Sequence, residues 1–186
     1  RRHCDTIYLC VVDKDRLAVS FINSVYDPWG SMIVLPKAGF ALHNRGSCFS
    51  TDPAHPNCIG PRKRPMHTII PAMARKDGRV SMPFGVMGGD YQPMGHVQVA
   101  LNMLVYGMDP QEAIDFPRFF PEPDTGILGV EQSVPESIRA ALAALGHRVE
   151  ERPMPLGGGQ AIAIDWKSGV LSGGSDPRKD GLALGY

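Results

Sequence analysis

Thr6 and the pair Gly88-Gly89 are the residues in this sequence that could do chemistry together. Thr6 opens the run Thr6-Ile7-Tyr8-Leu9-Cys10-Val11-Val12-Asp13, and the pair lies inside Phe84-Gly85-Val86-Met87-Gly88-Gly89-Asp90. A hydroxyl nucleophile needs a base, and a threonine freed at its amino end carries one in its own α-amine. Acyl transfer also needs N–H donors for the developing oxyanion, and glycines let backbone N–H groups approach closely. One segment would supply attack and the other charge stabilisation. Neither signal is specific alone: threonine is common in strands, and a glycine pair is the default turn after one.

Both segments need elements to position them. Residues 6–13 are β-branched-rich and read as a strand; Asp13 to Arg16 is a polar turn, and Leu17 to Val25 returns as the second strand of a hairpin. Pro28 and Gly30 punctuate a loop before a short strand from Ser31 to Leu35. Residues 43–65, with three prolines among polar residues, read as a long irregular loop, a kind that is uncommon unless functional. A second hairpin runs from Thr68 to Ala74 and from Arg79 to Val86, closed by Lys76-Asp77-Gly78. His96 to Tyr106 is apolar on most faces and predicts a buried helix. Asp109-Pro110 starts a short helix to about Phe116, and Pro135 to Leu145 is amphipathic, preceded by Ser133 and ended by Gly146. Residues 160–166 and 169–173 close the chain as a hairpin. Strands and helices are segregated, which predicts α+β architecture with helices packed on antiparallel sheets.

Composition narrows the function class. The chain has 186 residues, 43% hydrophobic and 20% charged, enough for one domain with a real core. Its 19 basic and 19 acidic residues cancel, so no net field draws in nucleic acid or an anionic membrane. No apolar run is long enough to span a bilayer. Arg62-Lys63-Arg64 reads as a loop anchor. Cys4, Cys10, Cys48 and Cys58 form no CxxC pair, and with no disulfide framework they point to a reducing, cytoplasmic setting. A periplasmic one is also open, because any signal would lie on sequence not present here. The cysteine and histidine spacing does not suit a structural zinc, no metal or other cofactor is implied, and Met82, Met87, Met94 and Met103 read as core filling. Gly157-Gly158-Gly159 lacks the Lys-Ser/Thr of a phosphate loop and reads as a loop before a strand.

The order of several pieces resembles the small, C-terminal subunit of the γ-glutamyltranspeptidase family of N-terminal-nucleophile hydrolases. The pieces are Thr6 to Asp15, Ala18-Val19, Gly60-Pro-Arg-Lys-Arg-Pro65, Gly85 to Gly89, Tyr106-Gly107, Pro117-Arg118-Phe119, Ser175-Asp176-Pro177-Arg178 and Gly185-Tyr186. The resemblance implies a four-layer αββα sandwich, completed by a separate large N-terminal subunit from the same precursor as an αβ heterodimer. It also implies self-cleavage before Thr6, with residues 1–5 as leader and 6–186 as the subunit. The freed α-amine, with an ordinary pKa of about 8, would then serve as base. On the same footing Ser24 supports the nucleophile and Gly88 and Gly89 form the oxyanion hole.

Substrate-contacting positions of the family fall on Tyr26, Arg45, Cys48, His67 and Thr68. Here the family's carboxylate partner for a substrate ammonium is missing and an arginine stands nearby, a residue that favours carboxylates. The expected substrate is a small-molecule amide bearing a carboxylate and no α-ammonium, with oxamate to oxalate plus ammonia foremost. A γ-glutamyl hydrolase or transpeptidase acting on glutathione is the alternative. An unprocessed, inactive binding homologue is the reading from another class.

Overall fold

The computed structural model describes residues 6–185. The leader expected at 1–5 lies outside the described residues. Strands β1 (Thr6–Val12) and β2 (Ala18–Ser24) form an antiparallel hairpin in which Thr6 faces Ser24 and Val12 faces Ala18. Alternation sends Thr6 and Tyr8 inward and leaves Ile7, Leu9 and Val11 on the outer face. A two-residue hairpin follows, β3 (Val34–Leu35) with β4 (Phe40–Ala41). The expected strand from Ser31 is thus shorter: Met32 has a positive φ of 60°, which breaks extended backbone before Val34.

The central sheet is antiparallel in the order β11-β10-β6-β5. It is built from β5 (Ala72–Lys76), β6 (Arg79–Met87), β10 (Gly158–Ile164) and β11 (Leu171–Ser175). β5 begins four residues later than Thr68 predicts, just past Pro71, which has no N–H to give a ladder. β10 begins two residues earlier than expected, so Gly158 and Gly159 belong to the sheet, opposite Met87 and Val86. A third sheet of β7 (Phe119–Pro121), β8 (Ile127–Val130) and β9 (Arg148–Glu151) carries a parallel β8–β9 pair. Helix α3 (Glu136–Ala144) is its crossover, starting after Pro135 without a side-chain cap.

The two faces of β6 define the layers. Met82, Phe84 and Val86 pack with Tyr91, Val99, Ile114 and Ala161 beneath helices α1 (Gln92–Leu104) and α2 (Pro110–Asp115). On the opposite face Gly85 meets the Tyr8 ring of the first hairpin, where an added Cβ would lie 2.5 Å from it. Hairpin, sheet and helices therefore stack as three layers, and α2 starts at Asp109 as expected, with a capping box between Asp109 and Glu112.

Helix α1 differs from its sequence reading. Its buried side chains include His96, Gln98 and Asn102, while Val97, Leu101 and Leu104 are exposed. The buried polar groups serve as struts. Gln98 Nε2 donates to the Phe119 carbonyl at 2.7 Å, and Asn102 Nδ2 donates to that of Ala113 at 3.3 Å. No helix among the described residues is long and apolar enough to cross a membrane.

Candidate active site

The β1–β2 register brings the first two site residues together. Thr6 sits opposite Ser24, and its hydroxyl donates to Ser24 Oγ at 3.1 Å. Thr6 is 6% exposed, so this hydroxyl is held in a sheltered place rather than in bulk water. Ser24 Oγ also accepts from the Tyr26 N–H at 3.0 Å. Tyr26 itself adopts a left-handed conformation with φ of 80°, uncommon for a bulky side chain.

Arg45 is brought in by the long loop. Asn44 and Asp27 exchange two hydrogen bonds, Nδ2 to Oδ2 at 2.7 Å and Asp27 N–H to Oδ1 at 3.1 Å, and Asn44 N–H reaches the Val25 carbonyl at 3.2 Å. This stitch lays the short 3₁₀ turn Arg45–Cys48 beside the end of β2. The Arg45 guanidinium carbon then lies 5.2 Å from the centre of the Tyr26 ring, within cation–π range. Its Nη1 donates to Thr68 Oγ1. Arg45 is 9% exposed, and its Nη2 has no hydrogen-bond partner among the described residues. A buried guanidinium with an unused donor is costly to maintain and well suited to an incoming anion.

Five predicted residues thus form one continuous group, Thr6–Ser24–Tyr26–Arg45–Thr68. Cys48 ends the same turn as Arg45, half-buried, and its carbonyl accepts from Asn57 Nδ2 at 2.6 Å. His67 is exposed and its ring makes no hydrogen bond among the described residues. Gly88 and Gly89 form a neighbouring unit at the end of β6, with φ of 140° and 59°. The Gly88 carbonyl accepts from Tyr91 N–H at 3.2 Å to start the turn into α1. Their structural link to Thr6 runs through Tyr8, which shares its inward face and packs on Gly85, three residues before Gly88.

Next to Thr6 on the inner face of β1, Tyr8 is buried. The Tyr8 hydroxyl and Ser20 Oγ lie 2.7 Å apart, and burial pushes the Tyr8 hydroxyl well above the ordinary phenol range. Burial likewise pushes the Cys10 thiol up to about 11, so it stays protonated and unreactive as its sequence context suggests. Among the described residues no cluster of His, Cys, Asp or Glu could hold a metal ion. Two features escaped the sequence reading. The Asn44–Asp27 stitch had no signal, because paired polar loop residues look like any others. The approach of Gly157 to Gly88 had one, in the run of three glycines.

The γ-glutamyltranspeptidase family matches residues 1–186. The glutathione hydrolase-like YwrD proenzyme of Bacillus subtilis is 41% identical over 97% of this chain, and the oxamate amidohydrolase proenzyme of Klebsiella pneumoniae is 40% identical over 98%. The chain spans 36% of the length of either. Among solved structures, a cephalosporin acylase from Bacillus halodurans superposes with a TM-score of 0.90 at 42% identity, covering 96% of this chain and 34% of that one. The Helicobacter pylori γ-glutamyltranspeptidase T380A mutant gives 0.83 at 29% identity, covering 92% and 99%. The fold is that of the N-terminal-nucleophile hydrolases, and the chain belongs to the γ-glutamyltranspeptidase family.

Proposed function

We propose that this chain is the C-terminal, small-subunit part of a self-processing amidohydrolase of the oxamate-hydrolysing branch. Thr6 Oγ1 attacks the amide carbon, the Gly88-Gly89 N–H groups stabilise the oxyanion, and the freed α-amine of Thr6 takes the hydroxyl proton and passes it to the leaving nitrogen. Ammonia departs, and water then cleaves the ester on Thr6, returning the hydroxyl and releasing the acid. For oxamate the sum is oxamate plus water to oxalate plus ammonia.

The observation that carries the substrate choice is Arg45: buried, stacked on Tyr26, tied to Thr68, and with Nη2 unpartnered among the described residues. A guanidinium there favours a carboxylate close to the scissile bond and disfavours an ammonium group, which a γ-glutamyl substrate would bring. Tyr26 and Thr68 shape and orient this contact, while Cys48 and His67 border it. The large N-terminal subunit is expected to cover the outer face of β1–β2, where Ile7, Leu9, Val11, Val19 and Phe21 are exposed on one side. The cleaved precursor is then an αβ heterodimer.

Hydrolysis of glutathione is the second reading, favoured by the similarity to the glutathione hydrolase-like proenzyme of Bacillus subtilis. Ammonia release from oxamate and glutaryl amides, measured beside glutathione cleavage on the purified processed protein, separates the two. We expect oxamate to be turned over well and glutathione poorly. Glutathione cleavage matching or exceeding oxamate hydrolysis contradicts the proposed substrate class.

A further inference from the structure

Gly88 and Gly157 touch backbone to backbone. A Cβ on Gly88 would lie 2.7 Å from Gly157 Cα, and a Cβ on Gly157 would lie 2.5 Å from the Met87 carbonyl oxygen and 2.7 Å from the Tyr91 ring. Gly157 also has a φ of 68°, so both space and backbone conformation require glycine there. Gly88 leaves room for the Gly157 main chain, and Gly157 leaves room for the Met87 carbonyl that leads into Gly88.

The chain on either side of Gly157 is fixed by three buried charged side chains, Arg118, Glu131 and Asp176, braced by the partly buried Arg178. Glu131 Oε1 accepts from Leu156 N–H at 2.9 Å, and Arg118 Nη1 donates to the Leu156 carbonyl at 2.8 Å. Asp176 Oδ2 accepts from Gly159 N–H at 2.6 Å, and Asp176 N–H returns to the Gly159 carbonyl at 3.1 Å. The four groups also hold one another, Arg118 to Asp176 at 2.7 Å and Arg178 to Glu131 at 2.6 Å. Arg118 and Arg178 both donate to the Ile114 carbonyl near the end of α2. A buried ion cluster contributes little to stability compared with apolar packing of the same volume. What this one does achieve is to clamp both residues that flank Gly157 and Gly158.

We propose that Gly157 is a positioning residue for the Gly88-Gly89 pair, and that the Arg118–Glu131–Asp176–Arg178 cluster is the anchor that presses it into place. The proposal rests on the reading of Gly88-Gly89 as oxyanion donors. Gly157 touches no reacting atom; it acts by limiting where the Gly88 main chain can move. Small displacements of such donors lower the rate of the chemical step more than they weaken binding of the substrate.

The test uses processed protein made from the full-length precursor, with the amide it hydrolyses fastest. A carboxylate-bearing boronic acid, which adds the Thr6 hydroxyl to boron and places an oxygen in the oxyanion position, reports on the donors directly. For Gly157→Ala we expect kcat to fall at least tenfold, the boronic acid Ki to rise by a similar factor, and KM to stay within twofold. Folded Gly157→Ala with kcat and Ki both within twofold of wild type overturns the proposal. Asp176→Asn, which keeps the side chain's shape, is the second variant should Gly157→Ala not fold. It should raise Ki and lower kcat together, and an unchanged Ki overturns the anchor role. Gly88→Ala distinguishes the underlying reading. If it loses activity while Gly157→Ala does not, only the positioning role fails; if both stay fully active, the oxyanion assignment fails with it.

Discussion

Ser24 Oγ accepts from the Thr6 hydroxyl on one side and from the Tyr26 N–H on the other. One atom therefore couples the orientation of the Thr6 hydroxyl to the loop that carries the Tyr26–Arg45 contact. Ser24→Ala should lower kcat and raise KM together, with a combined loss in kcat/KM of roughly tenfold, since each buried neutral hydrogen bond is worth about 0.5–1.5 kcal/mol. Ser24→Thr keeps the oxygen and should restore most of the activity; steady-state kinetics on the three proteins checks both points. Arg45→Ala should act differently, raising KM for an anionic amide by about tenfold to a hundredfold, as expected for a charge-assisted contact of roughly 1.5–3 kcal/mol. An unchanged KM would place Arg45 outside the pocket. Thr6, Gly88 and Gly89 stand out in the sequence by residue type, whereas Ser24 and Arg45 are singled out only through the family resemblance. The Asn44–Asp27 stitch that delivers Arg45 is not visible there, because its partners are 17 residues apart and nothing in either residue names the other.

Helix α1 shows where pattern reading stops. Its apolar content predicts burial on most faces, yet Val97, Leu101 and Leu104 face outward while Gln98, Asn102 and His96 are enclosed. Burial here follows the hydrogen bonds that α1 makes to β6, β7 and α2, which hydrophobic periodicity does not encode. His96 is the sharpest case. Its Nδ1 lies 2.7 Å from the Gln92 carbonyl, and its Nε2 accepts from Val86 N–H at 3.4 Å, joining α1 to β6 two residues before Gly88. That pattern suits a neutral ring, and burial, partly opposed by the backbone hydrogen bonds, lowers its pKa below the ordinary 6.5. The folded state thus binds this proton less readily than the unfolded one. Its contribution to stability is complete above 6.5 and is lost as pH falls from there toward the folded-state value. Thermal melts of wild type and His96→Asn between pH 8 and 5.5 should show the steeper acid loss in wild type, with a slope from this group of at most about 1.4 kcal/mol per pH unit. Parallel pH profiles would contradict the assignment. By contrast α2 is readable nearly to the residue, because its start is marked locally by Asp109 at the N-cap and Pro110 in the first turn.

The whole molecule is a three-layer stack whose hairpin exposes an apolar outer face. Architecture at this scale was legible in the segregation of strands from helices and in the ordered family motifs. The third sheet was not anticipated, since β7 and β8 are short, Pro121 ends one of them, and the parallel β8–β9 pairing depends on a crossover through α3. The same stacking positions Thr6 at the start of a strand that packs over β6. If Thr6 becomes the amino-terminal nucleophile of its own chain, the precursor must be cut immediately before it. Intact-mass and amino-terminal analysis of protein expressed from the full-length precursor tests it, with wild type and Thr6→Ala side by side. The prediction is a wild-type small chain beginning at Thr6 and a Thr6→Ala protein that remains a single uncut, inactive polypeptide. A Thr6→Ala protein that still cleaves at that bond and hydrolyses the amide would contradict it.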